Sequence, residues 1–182
     1  MKNMQYSLVD KIEIAASEQK WSDVVELARE GVSSACDPDL ASILLVRLSG
    51  YGNAEIVQWL LDGGANPNYR DQAGTTPLLA TCEVDSVGNE EIIQLLIENG
   101  ADPNAHARGG RTPLQWAVAW KLLPQIELLL EMGGDPEILT DDPDDQVDSF
   151  TVARRTGNRE IVALLSQWQT VNSSANGPRD PR

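Results

Sequence analysis

The chain has 182 residues, of which 41% are hydrophobic and five are Trp, enough for one packed domain and little for a second. Fourteen Lys and Arg against 28 Asp and Glu give a net charge of −14. That balance argues against gripping a nucleic-acid backbone, where basic side chains must replace counterions, and suits a soluble protein that draws basic partners toward itself. No apolar stretch has the length of a secretory or membrane-spanning segment and no lipidation motif is present, so the expected compartment is the cytoplasm. The two cysteines, Cys36 and Cys82, are too few for a disulfide framework and lack metal-ligand spacing. Both stand in apolar surroundings and are expected to be buried thiols.

In chain order, Ile14-Ala15-Ala16 and Val24-Val25-Glu26-Leu27 predict a first helix pair over about 10–37. Leu45-Val46-Arg47-Leu48-Ser49 predicts a third helix. Gly52-Asn53-Ala54-Glu55-Ile56-Val57 then turns into an apolar helical run that includes Trp59-Leu60-Leu61. Next comes Gly64-Ala65-Asn66-Pro67-Asn68, and 12 positions after Gly64 stands Thr76-Pro77-Leu78. The whole phrase returns: Ile92-Ile93-Gln94-Leu95-Leu96-Ile97, then Gly100-Ala101-Asp102-Pro103-Asn104, then Thr112-Pro113-Leu114. It returns a third time as Ile126-Glu127-Leu128-Leu129-Leu130 and Gly133-Gly134-Asp135-Pro136-Glu137. Asp148-Ser149-Phe150 takes the place of Thr-Pro-Leu, and Gly157-Asn158-Arg159-Glu160-Ile161-Val162 leads into a last helix.

Each piece has a physical reason. Thr caps a helix by accepting from free backbone N–H groups, and Pro fits the first helical position, where its missing N–H costs nothing. Gly closes a helix in the left-handed conformation, and Asn or Asp before Pro is forced out of the helical region. One unit is thus helix, short turn, helix, projecting loop, and its apolar faces are buried only by stacking on neighbours.

These phrases, in this order and at a spacing near 33 residues, resemble the ankyrin repeat. The resemblance covers roughly residues 10–168 and is strongest over 52–137. It implies an all-α solenoid of about five stacked helix pairs with short projecting turns. The expected domain is 1–171: a capping pair at about 10–37, central repeats at about 43–137 and a closing repeat at about 148–168, followed by a flexible tail at 172–182. Two stretches, Cys82 to Asn89 and Glu137 to Asp148, each carry about three extra residues, and insertions in repeat proteins map to loops.

No catalytic constellation stands out. The one histidine, His106, falls on a projecting loop without a partner, and no phosphate loop, nucleophile motif or zinc spacing occurs. Neither a cofactor nor a metal is expected. The resemblance implies binding of a protein partner through a concave face made of the turns and the exposed positions of each first helix. Carried onto this chain, the turns offer Arg70, Gln72, Ala73 and Thr75, then His106, Arg108, Gly109 and Arg111. The helix positions are Gly50 and Tyr51, Glu83 and Val84, Ala119 and Trp120, and Arg155 and Thr156.

Tyr51 and Trp120 fall at equivalent positions, where they either anchor a partner or pack between units. Trp59 and Trp116 read as core, and Trp21 and Trp168 as covers for the ends. The acidic run Asp141, Asp142, Asp144, Asp145 is a solvated, self-repelling loop or a finger that meets a basic partner; its spacing does not suit an EF-hand. Acidic residues on the second helices (Glu55, Asp62, Glu90, Glu91, Glu98, Glu127, Glu131) predict an acidic outer face. The expected function is a non-catalytic adaptor or regulator, monomeric when free. The rival is an immunity or inhibitor protein that covers the active site of a basic toxin or enzyme.

Overall fold

The computed structural model describes residues 7–34, 39–82, 89–107, 110–140, 142 and 144–175. Among them are ten helices and no strand: α1 (Leu8–Ser17), α2 (Trp21–Ser34), α3 (Leu40–Ser49), α4 (Ala54–Asp62), α5 (Pro77–Cys82), α6 (Asn89–Glu98), α7 (Pro113–Trp120), α8 (Leu123–Glu131), α9 (Ser149–Thr156) and α10 (Arg159–Ala175). Helices pair in sequence order, α1 with α2 through α9 with α10. First helices pack on one another along the stack, α1 on α3, α3 on α5, α5 on α7 and α7 on α9, while α4 packs on α6 and α6 on α8. The all-α solenoid expected from the repeats is therefore the architecture observed.

The caps follow the sequence. Thr112 accepts from the Gln115 N–H at 3.2 Å, and the Gln115 side chain accepts from the Thr112 N–H at 2.9 Å, a reciprocal capping box in front of Pro113. Thr76 accepts from the Leu79 N–H at 3.3 Å. Asp148 replaces Thr in the closing pair and accepts from the Thr151 N–H at 2.7 Å, so the cap survives the loss of Thr-Pro. Gly64, Gly100 and Gly133 have φ of +87°, +92° and +96°, which a side chain would resist.

The recurring Asn after Pro has a second role. Asn68 Nδ2 donates to the Gly100 carbonyl at 2.7 Å while its Oδ1 accepts from the Asp102 N–H at 2.8 Å. Asn104 repeats this one unit later, donating to the Gly133 carbonyl at 3.0 Å and accepting from the Asp135 N–H at 2.8 Å. Each side-chain amide thus clips its own loop to the next. At the third loop Glu137 takes the position, and its carboxylate accepts from Gln169 Nε2 of α10 at 3.1 Å.

Leu44, Leu78, Leu114, Ile126 and Leu165 are fully buried in one continuous core, and Cys82 is buried with them. Cys36 lies outside the described residues. Helix α10 runs through Ala175, past the expected boundary at 171. Asn172, Ser173 and Ser174 are only mildly unfavourable in a helix already nucleated upstream, so polar composition does not stop it there. The rest of the expected tail lies outside the described residues.

The insertion between Glu137 and Asp148 is not the detached loop its composition suggests. Thr140 and Val147 are buried, and the Thr140 N–H donates to the Val147 carbonyl at 2.9 Å. The Thr140 hydroxyl donates to the Asp145 carbonyl at 2.8 Å and accepts from the Val147 N–H at 3.0 Å. Gln115 Nε2 then donates to the carbonyls of Ile138 and Val147 at 2.8 and 2.9 Å, fixing the loop to the start of α7.

Candidate functional site

The face expected to bind is built from the first helices and the turns that precede them. Its amino-terminal half is a groove of about 580 Å³, lined by Glu13 and Ala16 of α1, Arg47 of α3, Tyr51, Thr75 of the following turn and Ala80 of α5. Tyr51 sits just beyond the end of α3 and is 38% exposed. Thr75 is half-buried and Gln72 is exposed at the tip of its turn. Arg70 is exposed but engaged: Nη1 donates to the Gly74 carbonyl at 3.2 Å and to the His106 carbonyl at 2.6 Å, bridging two successive turns. His106 is half-buried rather than fully exposed, and its carbonyl accepts that bridge.

The carboxy-terminal half carries an aromatic stack. Trp116 and Trp120 lie one helical turn apart with ring centroids at 6.4 Å and planes 13° apart. The Arg111 guanidinium sits over Trp116, 5.1 Å from the ring centroid. Trp120, at the open end, is 54% exposed, so it does not pack between units. Tyr51 follows α3 and Trp120 ends α7, with α5 packed between those two helices. Glu83, Val84 and Arg108 lie outside the described residues.

Of the acidic run, Asp141 lies outside the described residues, and Asp142 is half-buried with its carboxylate accepting from the Asp144 N–H at 2.9 Å. Asp144 is exposed. Asp145 forms a bidentate pair with Arg155 of α9 at 2.7 and 2.9 Å. The Arg155 hydrogen bond, with the charges of Arg155 and Arg111, holds the Asp145 carboxyl below its usual range. The pair therefore contributes at neutral pH and is lost as acid protonates Asp145 below that range. Of the four Asp expected to exceed what local bases can neutralise, Asp145 is matched by Arg155 of α9. Among the described residues, no group of three or more His, Cys, Asp or Glu is placed to share a metal ion, and no helix is long and apolar enough to cross a membrane.

The family model for ankyrin repeats, in three copies, matches residues 43–140. The chain belongs to the ankyrin-repeat family. Proteins of this family generally act in protein–protein interaction and are typically non-catalytic. No curated protein matches the chain. The matched span takes in Tyr51, Arg70, Gln72, Thr75, His106, Arg111 and Trp120, and ends at Thr140, before the acidic run.

Within the ankyrin array, Trp116 departs from the sequence-based expectation. It packs against the core but is only half-buried, and its ring also meets Arg111 and Trp120. The signal was its spacing: residues four apart share a helix face, so an exposed Trp120 brings Trp116 toward that face. Trp59, read as core, is also only partly buried, as are Trp21 and Trp168 near the two ends. Leu139 was missed as well. It is 51% exposed at the start of the insertion, at the place of His106 in the preceding ankyrin unit.

Proposed function

We propose that this ankyrin protein is a non-catalytic adaptor or regulator that binds one protein partner through the face formed by its first helices and turns. The exposure of Tyr51 and Trp120 on that face carries the reading. A 54% exposed Trp leaves a large apolar area in water, and burying it against a partner is favourable by about 25 cal/mol for each Å² covered. Trp120 is also preorganised by its stack on Trp116, so little side-chain freedom is lost on binding. Trp, Tyr and Arg are the residue types that dominate interface hot spots, and here Arg111 joins the two indoles. A cytoplasmic setting and a monomeric free state belong to the same reading.

The test begins with affinity capture and mass spectrometry to name a partner. The double variant Tyr51→Ala, Trp120→Ala is then expected to weaken binding of that partner by about 2 kcal/mol or more. Circular dichroism should remain parental, since neither side chain is in the core. Full affinity in a folded double variant would place the interface elsewhere.

A second reading, an inhibitor or immunity protein that occludes a basic toxin or enzyme, is favoured by the outer layer. Glu55 and Asp62 on α4, Glu91 and Glu98 on α6, and Glu127 and Glu131 on α8 lie on the second helices, and Asp62, Glu91, Glu98, Glu127 and Glu131 are exposed there. Such a layer speeds encounter with a basic surface. Replacing Asp141, Asp142, Asp144 and Asp145 by Asn is expected to lower the association rate roughly tenfold at low salt, with a much smaller change at high salt. Stopped-flow kinetics at two salt concentrations would decide it. Equal rates at low salt would leave the acidic loop with no part in recognition. The Asp145–Arg155 pair already takes one carboxylate out of play, which is why the adaptor reading is placed first.

A further inference from the structure

We infer that the groove in the amino-terminal half of this face receives a basic side chain of the partner, arginine by preference; the inference rests on the partner binding this face. Two carboxylates border the groove together with the half-exposed ring of Tyr51. Glu13 pairs with Arg47 at 3.5 Å, and the Arg47 side chain is itself 50% exposed. A contact that long and that open holds Glu13 weakly. Asp71 uses Oδ1 to accept the Ala73 and Thr75 N–H groups, each at 2.9 Å, and among the described residues its Oδ2 accepts none. An incoming guanidinium can lie against the Tyr51 ring while its N–H groups fork to a carboxylate. The net charge of −14 favours the same cation.

The other half of the face argues for one orientation. Arg111 lies over Trp116, and the last turn of α9 carries Arg154 and Arg155, with Asp145 matched to Arg155. In the groove the one lining cation, Arg47, faces two lining carboxylates, whereas a partner's cation beside Arg111 would meet like charge and Trp120 offers an apolar surface. The partner segment is therefore polar along its length: a basic side chain at the Tyr51 end and an apolar one at the Trp120 end.

The probe is acetyl-Gly-Arg-Gly-amide, titrated into the ¹⁵N-labelled full chain, beside the same peptide with citrulline, which keeps the shape and loses the charge. Saturable shifts are expected at the amides of Glu13, Tyr51 and Thr75, with the citrulline peptide about tenfold weaker. The double variant Glu13→Gln, Asp71→Asn should lose a similar factor. The amide oxygen introduced by Asp71→Asn still accepts the turn N–H groups, so the fold is kept, which circular dichroism checks. Equal binding of the citrulline peptide would overturn the inference, as would shifts spread over the acidic residues of α4, α6 and α8 instead of the groove. A silent groove, with partner binding still lost on Tyr51→Ala, Trp120→Ala, rejects this inference alone. A partner indifferent to that double variant rejects the concave-face reading itself.

Discussion

Replacing Leu114 by alanine is expected to destabilise the whole stack by about 2–5 kcal/mol. The side chain is fully buried, in the helix that packs on α5, α8 and α9 at once. Removing it opens a cavity where three neighbours meet, and the fixed spacing of stacked helices limits how far they can close it. Because each unit buries its apolar stripe only against its neighbours, the loss should appear in one cooperative transition. Denaturant titration followed by circular dichroism in the far ultraviolet measures it. A loss under about 0.5 kcal/mol would mean that the register of the Thr-Pro-Leu phrase is misread.

Gln115→Ala is expected to cost about 2–4 kcal/mol, although it removes no apolar surface of consequence. The side chain is fully buried and works at both ends. Its oxygen closes the capping box on the Thr112 N–H, and its nitrogen donates to the carbonyls of Ile138 and Val147. Truncation takes a partner from the Thr112 N–H and leaves the Ile138 carbonyl without this donor. The Val147 carbonyl keeps the Thr140 N–H. Gln115→Glu separates the two functions: it retains an acceptor for the cap, loses both donors and places a charge among carbonyls. Glutamate should therefore do at least as much damage as alanine. Limited proteolysis should cut the 137–148 segment faster in both variants, and parental stability in Gln115→Ala would show that the loop is held by Thr140 and Val147 without it.

The two central units were legible because local chemistry and global packing agree there. Thr112-Pro113-Leu114 contains its own cap, its own first helical residue and its own core anchor, and Gly100 its own stop signal. The acidic insertion was legible only as composition. Its Asp residues suggested solvation, but its placement depends on Val147, Thr140 and the distant Gln115 and Arg155. Such pairings are made by the stack and leave no periodic trace. For the candidate site, residue type and repeat register singled out Tyr51 and Trp120 as either anchors or packing between units, but not Trp116, whose apolar character fits a core stripe equally well. Trp116 is half-buried against the core, with the Arg111 guanidinium over its ring. Arg70 looked like a free cation on a turn tip, and only the next turn shows that its guanidinium is committed to the His106 carbonyl.

The amide clips along the loops also bear on how one unit can be joined to another. Asn68 and Asn104 each present a donor and an acceptor, so each makes a complete joint with whatever unit follows, provided that unit offers a carbonyl and an N–H in the same places. A unit ending in Asn can therefore be copied in tandem without redesigning the seam. The Glu137 side chain has no amide N–H to donate, and it accepts from Gln169 of α10. A duplication that ended on Glu137 would therefore create a junction lacking the donor that Asn68 and Asn104 supply.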